Sequence, residues 1–337
     1  MGELARTAIF RGSRIESSRL FGMSQQGDPL ESFLAFLQTQ SSQAIQTCER
    51  VVFGESLNEQ DYLQIYEDLD ITLLLKLVQL RLRRHELVLP RPVVILSSAS
   101  DLAQYVDDYS SRQDHVHLVV GSWLQFSSSR QLVNLADKVS SSSEFDRVRP
   151  VLVGPSLDDL MSISGQGEVG KLSSLLVELK DSGVRRFRAT KSIEFARLLR
   201  ASGFPVSLCS PLDAFPSSFE FVDHLMELRK SQLLAIPGCV WEPGLINWNP
   251  LSRADANLNL LLLRALALGS LMMDGKVSVR ASSRYFSMEA LRLAHLFGAT
   301  SLGVAAVDSP TEAQLGFLPI SSFDPTFFES RRQACSS

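Results

Sequence analysis

From Val93 onward the chain alternates short apolar runs with helical stretches, and this rhythm confines it to a parallel sheet flanked by helices. Strands are expected at Val93–Leu96, His117–Val120, Pro150–Val153, Arg186–Ala189, Val206–Cys209, Leu233–Ile236, Lys276–Arg280 and Ser301–Ala305. Between them the apolar spacing turns helical near residues 99–110, 128–138, 172–182, 191–202, 217–231, 254–272 and 286–297. Gly183, Gly203 and Gly298 each follow a helical run, where a left-handed residue ends a helix. About eight strand–helix units imply an α/β fold, a (β/α) TIM-type barrel. A doubly wound open sheet is the competing architecture.

The part before this rhythm is different. Residues 1–28 are polar and read as a flexible N-terminus. From Pro29 to about His85 the apolar residues recur at helical intervals: Leu30, Phe33, Leu34, Phe36 and Leu37, then Leu63, Ile65 and Tyr66, then Leu73 through Leu82. Ser56 and Glu59 have the spacing of a capping box for a helix starting at Leu57. The expected organisation is a helical N-terminal arm over 29–90, a barrel over 91–310 and a C-terminal tail, 311–337, packing on the barrel.

Composition narrows the function. With 337 residues and 45% hydrophobic content, the chain buries a large core. Its formal net charge of −4 leaves no basic surface for nucleic acid or an anionic membrane. The basic run Arg81-Leu82-Arg83-Arg84-His85 ends a helical pattern, where cations meet the negative helix terminus. Leu258–Met273, the most apolar run, contains Arg264 and falls short of the ~20 residues of a membrane span, so it reads as a buried helix. The first twenty residues lack the apolar core of a signal peptide. Cysteines at only 48, 209, 239 and 335 fit a reduced compartment and a cytoplasmic protein.

Several segments resemble, in order, one group of enzymes. Phe53-Gly54-Glu55-Ser56-Leu57-Asn58-Glu59-Gln60-Asp61-Tyr62-Leu63 is similar to the arm motif A-G-x-x-L-x-x-x-D-x-x-x-L. Val116-His117-Leu118-Val119-Val120-Gly121-Ser122 resembles a second strand reading V-H-I-V-G-G. Leu175–Gly183 resembles a helix ending L-K-x-A-G. Arg229 and Gln232 ahead of Leu234-Ala235-Ile236-Pro237, and the helix–Gly-Ala–strand unit Leu291–Gly303, complete the series. The chain is thereby similar to radical S-adenosylmethionine enzymes of the futalosine route to menaquinone: aminofutalosine synthase, dehypoxanthine futalosine cyclase and the related deazaflavin-forming synthases. The resemblance implies a barrel of the radical-SAM kind and a substrate-covering region after the sixth strand.

It also implies a C-x-x-x-C-x-x-C loop after the first strand, whose thiolates hold a four-iron cluster that binds S-adenosylmethionine. Here Leu96 is followed by Ser97-Ser98-Ala99-Ser100 and a helical pattern from Asp101, and no cysteine lies between Cys48 and Cys209. Serine hydroxyls do not replace soft thiolates as iron–sulfur ligands. No 4Fe-4S cluster and no radical chemistry are expected, and retained S-adenosylmethionine binding is doubtful. Cys209 and Cys239 follow or end consecutive expected strands, but two thiols do not rebuild the motif.

The remaining motifs each have a plainer role beside the functional one. Gly165-Gln166-Gly167-Glu168-Val169-Gly170-Lys171 matches a phosphate loop only until Leu172 stands where Ser or Thr is required, so it reads as a surface connection. His115 and His117 stand at the start of a strand, the end opposite barrel sites. The most site-like stretch is Cys239–Pro250, expected as a loop over the mouth, where Trp241, Glu242, Asn247 and Trp248 would hold a nucleoside-like ligand or simply pack. Ser97, Gly121 and Ser122 at ends of strands, and Arg280, point to the same mouth. The function expected is a degenerate radical-SAM-like protein of menaquinone biosynthesis. It would bind a nucleoside-like small molecule, or pair with an active homologue or itself, without radical chemistry. A non-redox enzyme using the mouth, and an interaction-only barrel, are the alternatives.

Overall fold

The computed structural model describes residues 42–82, 91–96, 115–119, 128–148, 150–155, 160–161, 169–190, 192–231, 233, 238–246, 255–273 and 277–305. All belong to one unit, Ser41–Ser337. Its centre is eight parallel strands: β1 (Arg91–Leu96), β2 (His115–Val119), β3 (Val151–Val153), β4 (Phe187–Thr190), β5 (Val206–Pro211), β6 (Val240–Gly244), β7 (Ser278–Ser282) and β8 (Ser301–Ala305). They pair in the order β3-β2-β1-β8-β7-β6-β5-β4. A parallel bridge between Val153 and Arg186, just before β4, links the two ends of that order. There the Gly154 N–H donates to the Arg186 carbonyl at 2.8 Å. Sequence neighbours are sheet neighbours throughout, without the reversal that marks a doubly wound sheet.

Three described helices precede the sheet: α1 (Ser42–Phe53), α2 (Glu59–Glu67) and α3 (Ile71–Leu82). The helices described after β2 are α4 (Ser129–Ser140), α5 (Ser143–Val148), α6 (Val169–Asp181), α7 (Ile193–Ala201), α8 (Ser218–Ser231), α9 (Ala256–Met273) and α10 (Met288–Leu293). The capping box of α2 lies two residues later than its expected place. Asn58 accepts from the Asp61 N–H, and Asp61 accepts from the Asn58 N–H. Asp61 is favoured because it also takes Arg50 Nη1 at 2.7 Å, while Arg50 Nη2 holds the Ser56 carbonyl. The box, the ion pair and the entry of the chain into α2 are thus one network.

Helix α9 carries the most apolar run. It is long and apolar enough to cross a membrane, but two thirds of it is buried inside the protein. It lies against α2 and α3 on one side and β6 and β7 on the other, which makes it a core helix. Its Arg264 donates to the carbonyls of Tyr66 (2.5 Å) and Leu69 at the C-terminal end of α2 and beyond. Arg229 on α8 donates to the Tyr62 hydroxyl at 2.7 Å. The cation inside the apolar run therefore docks the preceding helices onto the sheet domain. After α10 a 3-10 turn, Ala294–Phe297, ends at Gly298 with φ 95°. Gly183 and Gly203, also left-handed, end α6 and α7.

One strand differs from expectation. Leu233 lies in a turn and residues 234–237 are outside the described set, while the pairing strand is Val240–Gly244. Pro243 argues against a central strand, since it lacks a ladder donor. It is tolerated because β6 pairs with β7 only through Val240 and Trp241, before Pro243 is reached. The expected helix near 99–110, residues 1–28 and 30–37, and the tail 311–337 lie outside the described residues.

Candidate functional site

Successive residues of a strand point to opposite faces, so β6 sends Trp241 and Glu242 apart. Trp241 is 0% exposed on the helix side. A Cβ at Gly269 of α9 would stand 2.2 Å from its ring. Its Nε1 donates to Ser210 Oγ at 2.9 Å, and that hydroxyl bonds His224 Nε2 at 3.0 Å. The expectation of a tryptophan face offered from a mouth loop is therefore corrected in place and role. The stretch is a strand, and Trp241 fills the space beneath α9.

Glu242 turns the other way, onto the sheet face away from the helices. In register with it stands Cys209 of β5, and two residues before Cys209 is Ser207, paired with Arg188 of β4. Arg188 Nη2 donates to Glu242 Oε1 at 2.9 Å and to the Tyr285 hydroxyl at 2.7 Å. Cys209 Sγ lies 3.7 Å from that same hydroxyl. On β7, Arg280 shares this face and stands opposite Ser301 of β8. Arg186, two residues before Arg188, donates to Ser207 Oγ at 3.0 Å and to the Gly238 carbonyl.

Burial sets the electrostatics of this cluster. It works against the charge of Arg188, but Tyr285, Glu242 and Cys209 more than offset it, holding the guanidinium well above its ordinary value. Arg280 is pushed below its ordinary value by burial, with Glu242 opposing and Arg188 adding to the shift. Arg186 is pushed down to about 10 by burial and by Arg280. Burial raises the Cys209 thiol and the Tyr285 hydroxyl, keeping both neutral donors. The assembly is cationic and largely buried, with Arg188 partly open to solvent, and is suited to holding negative charge.

Of the residues singled out from sequence, Glu242 and Arg280 are brought together here. Ser97, Gly121, Ser122 and Asn247 lie outside the described residues. Arg186, Arg188 and Tyr285 were missed. The signal for the arginines is the alternation Arg186-Phe187-Arg188 on an expected strand, which puts two cations on one face and the apolar ring on the other. Tyr285 sits in the turn after β7 and has no such pattern.

No family model and no curated protein matches the chain. Solved structures do. Methylornithine synthase (PylB) aligns with a TM-score of 0.57 at 10% identity, covering 78% of this chain and 87% of that one. The FeFe-hydrogenase maturase HydG from Carboxydothermus hydrogenoformans gives 0.57 at 11% identity, with 86% and 82% covered. A second HydG structure gives 0.53 at 8% identity, with 86% and 74% covered. The fold is that of radical SAM enzymes. At such identities the likeness concerns the fold alone.

Radical SAM enzymes bind an iron–sulfur cluster, and the donor set of this chain can be compared with that need. Cys48, Cys209 and Cys239 are free and buried. Cys48 is on α1, far from the sheet in sequence. Cys239 Sγ accepts from the Val206 N–H at the start of β5, three residues and about 10 Å along the strand from Cys209. Cys209 faces Tyr285 instead. Residues 97–114 contain no cysteine at all. Three thiolates on one loop are required, and among the described residues these cysteines do not converge to supply them.

Proposed function

We propose that this chain is a radical-SAM-type barrel without its cluster loop, which binds a nucleoside-like small molecule of the futalosine route to menaquinone and performs no radical chemistry itself. The ligand lies against the face formed by Arg188, Glu242, Arg280 and Tyr285. The observation that carries the reading is this buried polar cluster, on a face that a merely structural sheet fills with apolar side chains. The thiol-free sequence after β1 supports the loss of redox chemistry, and the ordered motif resemblance supports the choice of pathway.

The test is anaerobic purification with iron and sulfide reconstitution, followed by calorimetric titration with an aminofutalosine-like nucleoside and with S-adenosylmethionine. The expected result is no stoichiometric cluster absorbance and saturable nucleoside binding that Arg188→Gln weakens about tenfold or more. A stoichiometric four-iron cluster, or no nucleoside binding by folded protein, overturns the reading.

A further inference from the structure

The charges of the cluster do not balance among the described residues. Arg186, Arg188 and Arg280 are three guanidinium groups on one sheet face, and Glu242 is one carboxylate, leaving an excess of two positive charges. Arg188 has Glu242 and Tyr285, and Arg186 has Ser207 and the Gly238 carbonyl. Arg280 is different. It is 6% exposed and makes no hydrogen bond among the described residues, and its Nε, like those of Arg186 and Arg188, is buried without a partner. Beside it Ser301, 7% exposed and in register with Arg280, has a buried hydroxyl with no partner.

A buried guanidinium with unfilled donors is costly, and a hydroxyl in the same state adds to the cost. Glu242 answers it only in part: its charge acts on Arg280, but its Oε1 is taken by Arg188 and it makes no hydrogen bond to Arg280 among the described residues. Both open groups are donors, so a carbonyl or hydroxyl would satisfy their geometry without compensating the charge. An oxyanion does both, because its planar or tetrahedral oxygens accept the guanidinium fork and a hydroxyl together.

We infer that Arg280 and Ser301 form the seat of an oxyanion, a carboxylate or phosphate group carried by the ligand, with Arg186 adding positive field from behind. This rests on the reading of the cluster as a ligand site and narrows the ligand to an anionic one. The Arg188–Glu242–Tyr285 unit is internally compensated and contacts the uncharged part of the ligand. Burial lowers the proton affinity of Arg280, as expected for a cation awaiting a counter-charge.

Inorganic phosphate and acetate are the probes, titrated into the full-length protein at constant ionic strength against chloride, with melting temperature and calorimetric heat recorded. Phosphate or acetate is expected to raise the melting temperature saturably, and the stronger of the two names the group. Arg280→Met is expected to weaken that binding about tenfold or more. The same variant is expected to melt higher than the wild type in chloride alone, because an uncompensated buried charge has gone. Arg280→Lys keeps the charge but loses the fork, and is expected to bind with intermediate affinity. A wild type indifferent to both anions, an anion effect unchanged in Arg280→Met, or an Arg280→Met variant that melts lower in chloride overturns the oxyanion seat. Nucleoside binding that ignores Arg280 overturns it too, while the proposed function stands. Anion binding through Arg280 without any nucleoside binding does the reverse.

Discussion

Arg188 on β4 reaches across β5 to place its Nη2 2.9 Å from Oε1 of Glu242 on β6, tying together strands that are not neighbours. Among the described residues, Glu242 is also the one carboxylate whose charge acts on Arg280. Glu242→Gln therefore leaves two guanidinium groups facing each other without a counter-charge. The expected loss is about 3 kcal/mol of unfolding free energy, read from urea denaturation. Tyr285→Phe removes one hydrogen bond to a charged donor and keeps the ring, so about 1.5 kcal/mol is expected.

Gly269→Ala reverses the usual sign for a helix interior. In an exposed helix the change favours stability by about 1 kcal/mol. Here the added Cβ meets the Trp241 ring at 2.2 Å, and the indole is pinned on its far side through Ser210. Destabilisation of about 1–3 kcal/mol is expected, with a shifted tryptophan emission maximum reporting the displaced ring.

Arg264→Ala removes the clamp on the Tyr66 and Leu69 carbonyls. These acceptors lie where α2 ends and α3 begins, so the change should loosen the preceding helices before the sheet. Native-state hydrogen exchange is expected to rise in 42–82 and to stay unchanged in α7 and β5. Equal increases in both regions would show that the arm and the sheet unfold as one.

Alkaline pH gives a separate check on the arm. Burial, with Glu49 adding, pushes the Cys48 thiol from its ordinary value up to about 12. The native state then keeps a proton that the unfolded chain releases. The stabilisation is complete below the unfolded thiol pKa of about 8.5 and is lost as pH rises toward 12. Stability of the wild type should fall by up to about 1.4 kcal/mol more per pH unit between pH 9 and 11 than that of Cys48→Ala. Parallel slopes for the two proteins would show that this thiol does not titrate in that range.

Much of the fold was legible locally. Seven of the eight strands overlap their expected positions because short apolar runs between helical spacings have few other uses. Gly183, Gly203 and Gly298 fall at helix ends because only glycine adopts that backbone without strain. The sixth strand was displaced because Pro243 weighs against a central strand, and its tolerance depends on how far β7 extends alongside. That is a property of a neighbour about 35 residues away. The capping box moved for a similar reason: Ser56 and Asn58 are both suitable caps, and Arg50 on another helix selects Asp61.

The candidate site shows the same division. Arg280 could be marked from its place at the end of an expected strand and Glu242 from an expected mouth loop, but Trp241 was placed on the wrong face once β6 was read as a loop. Alternation along a strand fixes which residues share a face only after the strand itself is known. By itself the sequence determined the strand–helix rhythm, the helix ends and the lack of clustered thiols, all set by short-range spacing or by residue type. Which charges meet was decided only by the tertiary structure. Glu242 and Tyr285 are separated by 54 and 97 residues from Arg188, the arginine they share, and sheet order and register bring them within hydrogen-bond range.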